Sequence, residues 1–104
     1  MADDLYFMRT EDDHVKIGRA SNVDKRLTQI QCGCPHEIVE VRSLPGRGHE
    51  ESDWHENFAA HRLRGEWFRW TPALERAIDR AGHGRSWRRK DVRSHLHGPQ
   101  KARP

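Results

Sequence analysis

Leu5, Phe7 and Arg9 alternate in face with Tyr6 and Met8, and Val15 and Ile17 with Lys16, with the acidic run Thr10-Glu11-Asp12-Asp13 between them. A period of two on both sides of a short polar connection predicts an antiparallel hairpin. The period then lengthens. Val23, Leu27 and Ile30 recur at helical spacing, with Ser21 or Asn22 placed to cap the helix and Asp24 in its first turn. Cys32-Gly33-Cys34-Pro35 stops it, because proline cannot continue a helix. Ile38, Val39, Val41 and Leu44 predict a third strand, and Pro45-Gly46-Arg47-Gly48 a turn. Trp54 and Phe58 share one face of a second helix expected from about Glu50 to about Leu63. Thr71-Pro72 caps and starts a last helix whose apolar face is Leu74, Ala77, Ile78 and Ala81. The expected architecture is α/β: a small three-stranded antiparallel sheet flanked by helices. Residues 1–81 form the domain, and 82–104 a basic, flexible C-terminal tail.

Composition adds limits. The chain has 104 residues, enough for one small domain, and only 34% are hydrophobic, so the core must be thin. No apolar run approaches the roughly 20 residues that span a bilayer. No charged-then-apolar leader opens the chain, so the protein reads as cytosolic. Cys32 and Cys34 are too close to favour a mutual disulfide, and with His36 they match no standard zinc spacing. Charge is uneven. From Gly82 to Pro104 seven Lys/Arg face one acid, a net +6 within a total of +3. That is the footprint expected for a polyanion partner, or simply of a solvated end.

Several side chains stand out as chemistry. Tyr6 projects from one face of the first strand, and hairpin pairing would bring Lys16 to the same face. Gly18 would let another backbone or a phosphate approach closely. Arg26 lies off the apolar stripe of the first helix and is free to turn toward the sheet. Glu51 and His55, four apart, are either a solvated helix pair or a metal carboxylate with a neighbouring histidine. His14 precedes the second strand. Trp67, Phe68 and Trp70 are either a lid over the core or a surface for stacking bases.

Taken in order, these residues resemble the GIY-YIG nuclease superfamily. Asp4-Leu5-Tyr6 stands where GIY belongs, keeping only the tyrosine, and Lys16-Ile17-Gly18 stands where YIG belongs, with lysine for tyrosine. Arg26 follows at the spacing of the family's helix arginine. HEESDWHENFAAHRLRGEWF looks like a branch found in phages and mobile elements. The resemblance implies a DNA endonuclease using one Mg²⁺ (or Mn²⁺) held by Glu51. Tyr6, Lys16, Arg26 and Glu51 would be catalytic, and Gly18, His14 and His55 would face the substrate. In that scheme Lys16 favours a Tyr6 phenolate or is itself the base, and Arg26 grips the phosphate. Glu50, one residue from the metal ligand, is expected to tolerate neutralisation. The alternatives are a nucleic-acid-binding module of the same fold without cleavage, and a small interaction protein of a phage or mobile element.

Overall fold

The computed structural model describes residues 2–82, the backbone of 86–88, and the single positions Val92 and Leu96. Six strands form one sheet in the order β4-β5-β2-β1-β3-β6, every neighbouring pair antiparallel. β1 (Asp4–Thr10) and β2 (His14–Ala20) are the expected hairpin, and β3 (Ile38–Leu44) lies on the other side of β1. The three-stranded expectation falls short. β4 (Arg62–Arg64) and β5 (Trp67–Arg69) extend the sheet beyond β2, and β6 (Ser86–Arg88) extends it beyond β3. Each added strand has three residues, too few for an alternating pattern to register.

The hairpin turn holds Asp13 at φ 61°, a conformation that Asp tolerates better than most residues. The Asp13 carbonyl accepts the Trp70 amide at 2.9 Å, which fastens the turn to the end of β5. α1 (Val23–Cys32) begins at Asn22, whose side chain accepts the Lys25 amide at 3.0 Å. α2 is Glu51–Asn57, about half the expected helix. It ends at Phe58, passes through a single 3-10 turn at Ala59–His61 and enters β4. Trp54 and Phe58 do stack, centroids 6.0 Å apart, but Leu63 is exposed on the hairpin closed by Gly65 at φ 56°. α3 (Pro72–Ala81) starts as its sequence predicts, Thr71 accepting the Leu74 amide at 3.1 Å.

Leu5 through Met8 are all buried, because β1 is central and both faces of the sheet are covered. Leu5, Phe7, Val15, Ile17 and Phe68 pack with Trp54 of α2 and Leu74 and Ile78 of α3. Tyr6, Met8, Ile38 and Val41 pack with Val23 and Leu27 of α1 and with Val92. The described fold therefore continues into the basic segment, through β6 and Val92. The remainder of that tail lies outside the described residues. No helix among the described residues is long and apolar enough to cross a membrane.

Candidate functional site

Register places Tyr6 opposite Gly18 on β2 and opposite Ser43 on β3. The phenol lies across Gly18. A Cβ at that glycine would sit 2.5 Å from the Tyr6 hydroxyl oxygen and 2.7 Å from Cζ. The space that Gly18 leaves is therefore taken by the tyrosine ring, not left for a phosphate. Its role is to let the ring lie flat over the strand.

The Tyr6 hydroxyl is fully buried and makes no hydrogen bond of ordinary geometry among the described residues, with the Arg26 guanidinium near enough to act on it as a donor. Burial raises its pKa from 10.0 to about 12. The Arg26 guanidinium opposes that rise, and the Glu66 and Glu51 carboxylates add to it. A buried polar atom without a partner is uncommon in a folded chain, and such atoms mark strained or chemically used positions. The cation that acts on Tyr6 is thus Arg26, in the first turns of α1. Lys16 is directed elsewhere. It pairs with Met8 in register, one diagonal step from Tyr6 on the same face. Its Nζ lies 3.3 Å from Glu66 Oε1 and 5.6 Å from the centre of the Trp67 ring.

Glu66 escaped the sequence reading. The Glu66 carbonyl accepts the Ile17 amide at 3.0 Å, so the turn after Gly65 is stitched to β2 beside Lys16. The only signal for it was its place in Gly65-Glu66-Trp67-Phe68, where the aromatics drew attention first.

Glu51 opens α2, with Arg19 Nε 3.9 Å from its carboxylate. α2 is held against β2 by His55, whose Nε2 lies 2.8 Å from the Ile17 carbonyl and whose ring rests on Phe68 at 5.1 Å. A carbonyl only accepts, so Nε2 carries the proton. His55 anchors the helix that carries Glu51, and the substrate-facing role expected for it is occupied by that bond. His14 is four residues from Gly18 along β2, roughly 13 Å at strand rise. Its Nδ1 lies 3.5 Å from Asp12, and His36 Nε2 reaches the same carboxylate oxygen at 3.5 Å. His14 is thus not gathered with Tyr6.

Glu50 is no bystander. Its carboxylate receives Arg47 at 2.8 and 2.9 Å and Trp54 Nε1 at 3.2 Å. Neutralising it disturbs the start of α2, which corrects its use as a tolerant neighbour of Glu51. Among the described residues no group of three or more His, Cys, Asp or Glu is arranged to hold a metal ion. One carboxylate at Glu51 suits a hard, mostly hydrated cation such as Mg²⁺, which commonly takes one or two protein carboxylates and completes its shell with water and phosphate. It does not suit zinc.

The Tyr6 phenol thus lies on the central strand of a small antiparallel α/β sheet, with the charges of Arg26, Glu51 and Glu66 felt at its hydroxyl, an arrangement suited to a polar or anionic ligand. The T5orf172 domain matches residues 5–87, and the chain belongs to that family. No curated protein and no solved structure matches the chain.

Proposed function

We propose that this domain is a DNA endonuclease of GIY-YIG type, hydrolysing phosphodiesters with a divalent cation at Glu51. The observation that carries the reading is the buried Tyr6 hydroxyl, which lacks a hydrogen bond of ordinary geometry and has Arg26, Glu51 and Glu66 acting on it. A structural tyrosine in a core would have its hydroxyl satisfied. The order of Tyr6, Lys16-Ile17-Gly18, Arg26 and Glu51 along the chain and the T5orf172 assignment support the same reading.

In this scheme Arg26 grips two phosphate oxygens with its planar fork and offsets their charge. Tyr6, a neutral phenol at pH 7, must first give its proton to solvent; as the phenolate it then aligns the attacking water and takes its proton. Lys16, fixed by Glu66, keeps a positive charge on the same face without competing for the tyrosine. His55 holds α2 against β2 and so fixes where Glu51 stands relative to the sheet. Mg²⁺ or Mn²⁺ on Glu51 would stabilise the charge developing on the leaving oxygen.

A plasmid-nicking assay with Mg²⁺ tests this against an EDTA control. Glu51→Gln should lower the rate by orders of magnitude while leaving the melting temperature and DNA affinity nearly unchanged. Glu56→Gln, on an exposed position of the same helix, should cut like the parent. Full activity in Glu51→Gln would remove the metal assignment. The second reading, a DNA-binding module without cleavage, is favoured by two observations: lysine stands in the second motif, and burial pushes the Tyr6 pKa up to about 12. DNA binding with no nicking under either Mg²⁺ or Mn²⁺ would select it.

A further inference from the structure

We propose that the groove beside α1 receives a single unpaired nucleotide of the DNA strand, its base stacked on Trp67. The inference rests on the nuclease reading only for the identity of the strand. The groove measures about 410 Å³ and is walled by Gln29 and Ile30 of α1, His14 and Lys16 of β2, and Trp67 of β5, with His36 at its rim. A second depression, about 180 Å³, holds Lys25 and Arg26, and Gln29 lines both. A strand whose phosphate lies on Arg26 is therefore led along α1 toward Trp67.

The groove falls within the roughly 300–1,000 Å³ of pockets that enclose small ligands. That is room for one splayed-out nucleotide and too little for a duplex, whose major groove alone is about 12 Å wide. Trp67 is only half-buried, and the Lys16 ammonium lies over its ring at 5.6 Å, so a base that stacks on it does so beside that cation. The polar side chains nearby are largely committed: Lys16 to Glu66, and His14 and His36 to Asp12, with Glu11 4.0 Å from His36. Stacking on the ring, more than charge, must then supply the selectivity here. The aromatic cluster of the β4–β5 hairpin thereby divides its labour. Phe68 is fully buried in the core, Trp70 packs against that core under the Arg9 guanidinium at 4.7 Å, and Trp67 alone borders the groove.

Fluorescence anisotropy of labelled oligodeoxynucleotides with the full chain in EDTA tests this without any cleavage. The parent should bind a single strand more tightly than a blunt duplex of equal length. Trp67→Leu should weaken single-strand binding about tenfold, the loss of one base–aromatic stack, with the salt slope and duplex affinity unchanged. Trp67→Phe should restore most of it. On the ligand side, one abasic position in the strand should reproduce the loss in the parent protein, which keeps the test valid if Trp67→Leu folds poorly. Preference for duplex, or single-strand affinity indifferent to both Trp67→Leu and the abasic position, overturns the proposal. Nicking by the parent alongside such indifference leaves the nuclease reading standing. Trp67-dependent binding without nicking leaves the groove standing and removes the nuclease.

Discussion

Tyr6 concentrates the conflict between stability and chemistry in one atom. A buried hydroxyl that lacks a partner costs about 1–3 kcal/mol relative to one that is satisfied or absent. Tyr6→Phe should therefore raise the denaturant midpoint, by a gain of about 1 kcal/mol, while reducing nicking by orders of magnitude. A variant that is both less stable and fully active would return Tyr6 to the core as an ordinary aromatic. The raised pKa also sets two pH trends. If Tyr6 accepts the proton of the attacking water, the parent's rate should climb about tenfold per pH unit on the acid side of its pKa, and Tyr6→Phe should lose that limb. Folding favours the neutral phenol, so its contribution is complete below the unfolded value of 10.0 and is lost as pH rises toward about 12. Sequence reading singled out Tyr6, Arg26 and Glu51 but misjudged the partners of Lys16, Gly18 and His55. Which residue lies opposite which depends on register, and that is fixed by pairing rather than by pattern. The ring of Tyr6 over Gly18 and the place of Lys16 beside Trp67 and Glu66 follow from register, and the bond from His55 to Ile17 follows from the seating of α2 on β2.

Among the elements, the long strands and the capped helices were legible, the short pieces were not. Seven-residue strands show their period, and Asn22 and Thr71 announce the helices they cap. The Trp54–Phe58 spacing suggested a helix reaching Leu63, but α2 stops after seven residues. So short a helix has little stability of its own and depends on its attachments. At its start, Glu50 clasps Arg47, and Arg47 also donates to the Ala81 carbonyl at the end of α3. Glu50→Gln should therefore lower stability by about 1 kcal/mol at neutral pH. The Arg47 guanidinium holds the Glu50 carboxyl below its ordinary range. Its contribution is present above the unfolded carboxylate value and disappears as pH falls through the folded one. Urea titrations should show parent and Glu50→Gln converging at acid pH. A difference that persists undiminished at pH 3 would assign the effect to something other than the ion pair.

For the whole molecule, the basic segment is more than an electrostatic appendage. β6 pairs with β3 from Glu40 to Arg42, and Val92 is fully buried against the α1 side of the sheet. A chain ending at Gly82 loses both. Burial of a valine contributes about 1.5 kcal/mol or more, so with the lost strand pairing the melting temperature should drop by on the order of 10 °C. An unchanged melting temperature would show that these contacts contribute nothing. The charge of the segment is better tested by Lys101→Gln with Arg103→Gln, since both positions lie outside the described fold. Each lost phosphate contact should flatten the log–log salt dependence of DNA binding by about 0.9. Patterning marked this stretch as charge alone, because a three-residue strand and one valine give no period to read.

The position of Tyr6 on β1 has a consequence for how activity fails. β1 has neighbours on both sides and helices over both faces, so it belongs to the part of a sheet that opens last, at the free energy of complete unfolding. Reactive groups on peripheral loops flicker in and out of competence as the loops fray. Here the phenol has no such partial state. Local breathing at the three-residue edge strands leaves it in place, so warming should leave the Tyr6 hydroxyl set until the last cooperative unit gives way, and the amides of Leu5 to Met8 should be among the slowest to exchange with deuterated solvent.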